Sequence, residues 1–178
     1  MACATNFAFA NRQLLTQQLR KLIKTIFSQA QLELFYDVTH NIAKKEIHTI
    51  NKQKQKVLVH RKGATRLSAN GIALIPGSMG SGSFVVKSLN SEATRLSFKS
   101  VAHGAGRVMG RRQAKKTITK KQHKNSLGTI KVVSGSNSSL LDESPLAYKS
   151  INTVIDSLEK TELAAPVVEL KPLAVLKG

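Results

Sequence analysis

The feature that most constrains the fold of this chain is the irregular order of its helical and extended segments. Apolar residues recur at helical spacing between Leu14 and Phe27, which predicts a long amphipathic helix over residues 6–30. The extended patterns that follow are not separated by regularly alternating helices. This order favours an α+β fold, with mixed sheets flanked by helices, over a doubly wound fold.

The remaining segments divide into short strands, short helices and loops. Polar and apolar residues alternate over 95–100, so a strand there should lead directly into a loop at His103. The basic pattern over 110–124 predicts a helix, and Asn152 is expected to cap another that ends near residue 163. Further expectations are a short helix or helical turn over 37–47, strands over 57–60, 73–75, 84–86 and 130–133, a polar loop over 134–139, and extended chain over 167–176 interrupted by Pro172.

Length and charge narrow the class of protein. A chain of 178 residues, 41% of them hydrophobic, suffices for one domain with a hydrophobic core. Its formal net charge of +18 arises from 28 Lys and Arg against 10 acidic residues, and indicates a polyanionic partner. Nucleic acid is the first candidate, an anionic membrane surface the second, and a merely solvated basic surface the third.

Cysteine use and hydropathy indicate a cellular compartment. The single cysteine, Cys3, excludes an intrachain disulfide and favours a reducing environment, so a cytoplasmic location is expected. No apolar run has the length needed to cross a bilayer, and the first residues lack the pattern of a signal peptide. We therefore expect no membrane among the partners.

The strongest local signal for chemistry is the segment His103-Gly104-Ala105-Gly106-Arg107, which Arg111 follows. Glycines beside a histidine allow the backbone to approach a phosphate closely. A neutral imidazole carries a lone pair that can attack phosphorus, and the two arginines offer bidentate phosphate contacts. The alternative is a glycine-rich turn with an incidental histidine, and the segment alone does not decide between the two.

Three other segments are candidates for binding. The loop from Pro76 to Ser83 offers several N–H and hydroxyl donors, although it lacks the Lys-Ser/Thr ending of a P-loop. The segment from His60 to Arg66 places three cations in a tight turn. A flexible loop and a solvated basic turn are the respective alternatives. His40 is a candidate metal ligand, for which a hydrogen-bonded core histidine is the alternative.

Taken together and in this order, the segments resemble the RtcB family of RNA-splicing ligases. The resemblance extends over almost the whole chain, and the order of the motifs makes it specific. The matching segments are Asn6-Phe7-Ala8, Ala10-Asn11-Arg12, His40-Asn41, His60 to Arg66, Pro76 to Gly80, His103 to Arg107, Pro145 to Lys149 and Lys177-Gly178.

The resemblance implies an RNA ligase that depends on GTP and manganese. Such an enzyme joins an RNA 3′-phosphate or 2′,3′-cyclic phosphate end to a 5′-hydroxyl end, as in tRNA splicing and RNA repair. A histidine accepts guanylate from GTP, the guanylate passes to the RNA 3′-phosphate, and the 5′-hydroxyl then displaces GMP. The implied partner is RNA, either tRNA halves or broken RNA ends, and some relatives also use a small activating protein.

The family's functional positions map onto individual residues of this chain. His103 matches the guanylylated, catalytic histidine, and His40 matches a manganese ligand. The resemblance implies RNA or phosphate contacts for Arg61, Lys62, Arg66, Arg107 and Arg111. It implies nucleotide contacts for His40, Asn41, Pro76, Gly77, Ser78, Met79, Ser83, His103, Gly104, Ala105, Gly106, Tyr148 and Lys177.

The chain also departs from the family pattern. The family's other metal ligands lie in an N-terminal half, in Asp/Cys, Gly-Asn-His and Ser-Arg-Gly segments that have no counterpart here. Gly110 stands where the pattern has a serine. The resemblance thus implies one RtcB-like domain over 1–178, the C-terminal portion of the fold without the metal-binding half. One half of a split ligase and a non-catalytic RNA-binding remnant are the alternatives, and a ribosome-associated basic protein is a further one that leaves the His103 loop unexplained.

Overall fold

The computed structural model describes residues 2–39, 41–68, 70–135 and 140–177. Helices are combined with several small sheets, which confirms the predicted α+β class. The helices are α1 (Ala2–Ile26), α2 (Glu92–Leu96), α3 (Arg111–Thr117), α4 (Lys120–Leu127) and α5 (Ile151–Lys160), with 3-10 turns at Leu140–Glu143 and Pro145–Ala147. The strands are β1 (Asn41–Ile50), β2 (Gln53–Lys62), β3 (Ala64–Arg66), β4 (Ile72–Ile75), β5 (Ser83–Ser88), β6 (Ser100–Ala102), β7 (Lys131–Ser134), β8 (Ala164–Leu170) and β9 (Ala174–Lys177).

Within the described residues, the strands form four small sheets. β1 and β2 make an antiparallel hairpin, β3 pairs with β6, and β4, β5 and β8 form a three-stranded antiparallel sheet in that order. β7 and β9 are parallel. The predicted strands over 73–75 and 84–86 are confirmed as the β4–β5 pair, and the loop between them starts and ends at this sheet.

The larger hydrophobic core lies where α5 packs on the three-stranded sheet and on β6. Ile75 and Val86 are fully buried at its centre, and each such aliphatic side chain contributes about 1.5–3 kcal/mol. Val101 of β6 and Ala105 of the His103 loop belong to the same core, so the loop is anchored at both ends. The buried residues of this core are Leu67, Ala73, Ile75, Val86, Val101, Ala105, Ile151, Ile155, Leu158 and Ala164.

Helix α1 confirms the long amphipathic helix expected over 6–30. None of its described residues is buried, and most of its large apolar side chains are exposed. Arg12 forms an ion pair with Asp37 at 2.6 Å, and the Nε of Arg20 donates to the carbonyl of Leu32 at 2.8 Å, so the helix is attached mainly to the segment that follows it. In the described ranges no helix combines the length and apolarity needed to span a bilayer.

The short helix expected over 37–47 is wrong, because residues from Asn41 onward form strand β1. The inward positions of this strand are polar: Glu46 and His48 are buried while Ile47 between them is 70% exposed. Buried and exposed residues alternate along β1, as in any strand with one buried face. The buried positions are polar, however, and Arg61 of β2 pairs with the buried Glu46. Because the buried positions of β1 are polar, the residues of this segment do not show the apolar pattern of a strand.

Three smaller corrections concern the short helices. The strand expected over 95–100 is wrong for its first five residues: Arg95 and Leu96 end helix α2, which Ser91 caps by accepting from the N–H of Thr94, and residues 97–99 form a turn. The single helix expected over 110–124 is divided, because Thr119 starts α4 with a capping box that includes Gln122. The N-cap of α5 is Ser150 and not Asn152. Most of the loop expected over 134–139 lies outside the described residues.

Candidate nucleotide-accepting site

The β3–β6 ladder determines where His103 lies. Ala64 pairs with Ala102 in an antiparallel register, so the residues just beyond them, Gly63 and His103, face each other. The backbone N–H of His103 donates to the Gly63 carbonyl at 3.4 Å. A strand does lead into the His103 loop, as expected, but of the predicted residues 95–100 only Ser100 belongs to it.

The imidazole of His103 is held by the same carbonyl. Nδ1 lies 2.8 Å from the Gly63 oxygen, and because a carbonyl only accepts, Nδ1 carries the hydrogen. The lone pair of the neutral ring is then on Nε2. A Cβ on Gly63 would lie 3.9 Å from the ring, and the φ of Gly63 is +72°, so glycine suits this position. The arrangement orients a histidine as a nucleophile or a base.

The His103 loop is in direct contact with the loop from Pro76 to Ser83. The N–H of Ala105 donates to the Pro76 carbonyl at 3.0 Å, and a Cβ on Gly104 would lie 2.9 Å from that oxygen. Two segments that were candidates for phosphate binding are therefore brought together. The close approach also explains why residue 104 is glycine.

The Pro76 to Ser83 loop is ordered by its own serines. The N–H of Ser78 donates to the Ser81 Oγ at 2.7 Å, and the N–H of Gly77 donates to the Ser83 Oγ at 3.4 Å. Met79 is buried, and Gly80 packs against Pro145. The predicted nucleotide contacts Gly77, Ser78 and Ser83 thus belong to one folded turn, which joins the His103 loop to the segment around residue 145.

Arg107 and Tyr148 connect the glycine loop to that segment. The N–H of Lys149 donates to the Gly106 carbonyl at 3.0 Å, which places Tyr148 beside the loop. The Nη1 of Arg107 donates to the Tyr148 hydroxyl at 3.0 Å, and the guanidinium lies 4.9 Å from the centre of its ring. Arg107 also donates to the carbonyls of Met109 and Asp142. The guanidinium expected to bind phosphate is thus largely used within the chain.

Glu143 is the acidic residue of this cluster. The Tyr148 hydroxyl donates to it at 2.6 Å, and Arg111 forms an ion pair with it at 3.0 Å. Burial raises the pKa of Tyr148, and the hydrogen bond to Glu143 and the charge of that carboxylate raise it further. The phenol therefore stays protonated and remains a donor. The Arg111 side chain is largely exposed, so it can contact a phosphate while paired with Glu143.

Lys177 and Asn41 lie at the ends of strands. Lys177 ends β9, is half-buried, and pairs with Ser134 in the parallel ladder. Asn41 begins β1, is exposed, and pairs with Lys62, which is also exposed. His40, the predicted metal ligand, lies outside the described residues.

Arg61 lies in the interior, although the sequence analysis assigned it to RNA or phosphate binding. It is 4% exposed and forms a bidentate pair with Glu46, at 2.7 and 3.1 Å. Its remaining contacts are the Phe98 carbonyl at 2.8 Å and the Ser100 Oγ at 2.9 Å. The geometry therefore fits a structural role, in which Arg61 fixes the turn that precedes β6.

The Glu46 carboxylate has two further partners besides Arg61. His48 lies 2.7 Å from it, and Arg66 lies 3.6 Å away with a partly exposed side chain. Burial by itself raises the pKa of Glu46, but hydrogen bonds from Arg61 and His48 and the charges of Arg61 and Arg66 lower it to about 2. Glu46 is thus ionised throughout the physiological range.

Acidification should destabilise the fold through Glu46. Because its folded pKa is depressed from 4.5 to about 2, its contribution is complete above pH 4.5 and is lost as the pH falls through 2. The shift corresponds to about 3 kcal/mol. Urea unfolding between pH 6 and pH 2 measures the loss. The Glu46→Gln variant, which does not titrate, should show a smaller fall; an equal fall would contradict this role.

The described residues do not by themselves form a manganese site. No group of three or more His, Cys, Asp or Glu side chains in the described ranges is arranged to hold a metal ion. Manganese needs several ligands. His40, for which the resemblance implies a metal-ligand role, lies outside those ranges, so we derive no step through a metal.

Sequence reasoning missed Glu46, His48 and Glu143. Glu46 is the one acid between Asp37 and Glu92, amid many cations, and that isolation was a usable signal. Glu143 lies in a segment whose match to the family pattern begins only at Pro145.

A cleft of about 500 Å³ lies between α1, residues 35–39 and β1–β3. Its lining includes Arg61 and Arg66 but no residue of the two glycine-rich loops.

The geometry defines a small α+β protein in which a carbonyl-oriented histidine begins a glycine-rich loop that contacts a second such loop. The sequence profile of the family described as "tRNA-splicing ligase RtcB" matches residues 1–178. This chain belongs to the RtcB family.

Three curated relatives show how much of the family's length is present. Proteins named "tRNA-splicing ligase RtcB" from Methanocaldococcus jannaschii and Nanoarchaeum equitans are 37% and 39% identical to the whole of this chain, which covers 20% and 41% of their lengths. The "RNA-splicing ligase RtcB" of Mycobacterium tuberculosis is 40% identical, with 44% of its length covered. The chain thus spans less than half the length of these relatives.

Proposed function

We propose that this chain carries the guanylate-accepting part of an RNA ligase. The complete activity would join an RNA 3′-phosphate or 2′,3′-cyclic phosphate end to a 5′-hydroxyl end, with GTP as the nucleotide and manganese as the metal. RNA, as tRNA halves or broken ends, is the proposed partner, and the cytoplasm the proposed location. Membership of a family whose relatives are named RNA ligases supports the reaction class.

The observation that carries the proposal is the hydrogen bond from His103 Nδ1 to the Gly63 carbonyl. It fixes the tautomer in which Nε2 holds the lone pair. Attack of Nε2 on the α-phosphorus of GTP forms an N–P bond, breaks the bond to the β-phosphate oxygen and releases pyrophosphate. The Gly63 carbonyl then stabilises the positive charge that develops on the ring.

The surrounding residues have separate proposed roles. Arg111, whose side chain extends into solvent, is the proposed contact for the RNA 3′-phosphate. The turn from Pro76 to Ser83 and the loop from Gly104 to Gly106 are the proposed nucleotide contacts, together with Tyr148 and Lys177. Arg107 positions the glycine loop through Tyr148 and the Asp142 carbonyl.

Labelling with GTP tests the proposal. The chain is incubated with α-³²P-GTP and manganese, alone and with a polypeptide that supplies the remaining length of an RtcB relative. We expect an acid-labile, alkali-stable label, as a P–N bond requires, when both polypeptides are present. The His103→Ala variant should lose at least about 10³-fold of the label.

A matched histidine provides the control. His123, on α4, is half-buried and has no proposed role, so His123→Ala should be labelled like the unaltered chain. Equal labelling of the His103→Ala variant, or no labelling in the two-polypeptide mixture, would overturn the proposal.

A second candidate is RNA binding without catalysis. Helices α3 and α4 favour it, since residues 111–127 contain seven Lys and Arg and no acidic residue. This function predicts RNA affinity that falls steeply with salt and does not respond to GTP or to the chemistry of the RNA end. A GTP-dependent change in affinity would contradict it.

A further inference from the structure

The β1–β2 hairpin has two faces of different chemistry, because successive residues of a strand point to opposite sides. The inner face carries the buried Glu46, His48 and Arg61. We call the opposite side the outer hairpin face. It consists of the register pairs Asn41–Lys62, Ala43–His60, Lys45–Leu58, Ile47–Lys56 and Thr49–Lys54.

The outer hairpin face is strongly basic, and its own residues include no carboxylate that could neutralise the lysines. It carries four exposed lysines and the exposed His60, and none of its residues is acidic. In the described part of the chain, no carboxylate lies within ion-pair distance of these lysines. On α3, by contrast, Arg111 and Lys115 pair with Glu143 and Asp142. The hairpin lysines therefore attract an external anion.

The basic residues of β2 form a row that leads to His103. Lys54, Lys56, His60 and Lys62 occupy alternate positions, and the row from Lys54 to Lys62 is roughly 27 Å long at the usual rise of a strand. The residue after Lys62 is Gly63, whose carbonyl accepts from His103. A polyanion bound along this row would reach the His103 site at one end.

The exposed apolar residues of the face favour unpaired RNA over duplex RNA. Ile47 and Leu58 are 70% and 53% exposed among the lysines, so the face offers apolar surface that unpaired bases can cover. A two-stranded ribbon fits the wide major groove of B-form DNA, whereas the major groove of A-form RNA is too narrow to admit it. An unpaired RNA segment can pair its phosphates with the lysines and cover the apolar side chains with its bases.

We propose that the outer hairpin face binds the backbone of a single-stranded RNA end and directs that end toward His103. The inference rests on the proposed function, which explains why an RNA end should reach this histidine. It adds Lys45, Lys54, Lys56 and His60 to the RNA contacts.

Salt-dependent RNA binding tests the inference. The probe is a fluorescein-labelled single-stranded RNA of about 12 nucleotides with a 3′-phosphate, and its affinity is measured by anisotropy at several salt concentrations. The triple variant Lys45→Gln/Lys54→Gln/Lys56→Gln should bind at least about tenfold more weakly. The slope of log K against log salt should also fall by about 2, because three phosphate contacts are removed. The Lys→Arg triple variant at the same positions should retain both the affinity and the salt slope of the unaltered chain.

A charge-matched control lies on another part of the fold. Lys87, Lys160 and Lys171 are exposed on or beside β5, α5 and β8, and their triple Gln variant should keep the original slope. Equal losses in the two Gln triples would overturn the inference. So would lysine-dependent binding to phosphatidylserine vesicles with unchanged RNA binding, which would indicate a membrane surface.

The two proposals fail separately. Labelling of His103 by GTP is measured on the unaltered chain with its complementing polypeptide and needs no RNA. Labelling without a hairpin-dependent salt slope refutes only the outer-face inference. A hairpin-dependent slope without labelling refutes only the ligase proposal and leaves the RNA-binding surface.

Discussion

Replacing Arg61 with alanine should lower the free energy of unfolding by about 3–5 kcal/mol, the largest effect we expect from a single substitution in this chain. The change leaves the Glu46 carboxylate buried without its bidentate partner, and it also removes the donors to the Phe98 carbonyl and the Ser100 hydroxyl. Because Arg61 joins the hairpin to the turn before β6, the loss should loosen the connection to His103. Urea denaturation measures the change.

The matched control is an exposed arginine that also pairs with a glutamate. Arg111→Ala removes the ion pair with Glu143 and should cost less than about 1 kcal/mol. Replacing both members of the buried pair, as Glu46→Leu/Arg61→Met, should recover part of the loss, because no uncompensated charge remains. A double variant less stable than Arg61→Ala would contradict this explanation.

The Gly104→Ala substitution should reduce guanylylation of His103 by roughly 100-fold, the loss expected when a reacting group is displaced by about an ångström. A Cβ on Gly104 would lie 2.9 Å from the Pro76 carbonyl oxygen, so one of the two loops must move. That movement lengthens the bond from the Ala105 N–H to Pro76 and displaces the neighbouring imidazole. The labelling assay with GTP measures the loss.

Gly110 is the control, since a Cβ there meets nothing within 4 Å and its φ is −67°. Gly110→Ala should be labelled at nearly the rate of the unaltered chain. If both variants lose the same amount, the contact between Gly104 and Pro76 does not organise the site.

Local patterns predicted the elements whose hydrophobic residues lie in the core. The β4–β5 pair was predicted as two strands that flank a glycine-rich loop, and helix α5 was predicted from an expected cap; both place apolar side chains in the core. Prediction failed at β1, where Glu46 and His48 point inward and contact each other, and where Arg61 forms the bidentate pair with Glu46. That partner is 15 residues away in the sequence, and no local rule detects it.

In the candidate site, too, the features with a local sequence signal were predicted and those that depend on distant residues were not. The glycine loop at His103 and the loop at Pro76 were both identified, because glycine next to chemically active residues is a local signal. Their mutual contact and the Gly63 carbonyl behind the imidazole depend on strand register, which the sequence does not reveal. Charge and the family resemblance both suggested phosphate contacts for Arg61 and Arg107, whereas their hydrogen bonds lie mainly within the chain.

The order of strands in the three-stranded sheet determines which strand pairs can form first while the chain is being synthesised on the ribosome. β4 and β5 pair locally, but the other edge of β5 is covered by β8, which is synthesised about 80 residues later. Pairings over such distances in the sequence form slowly and leave an edge open in the meantime. A chain halted before residue 164 therefore exposes the free edge of β5, where a chaperone or a second nascent chain can bind.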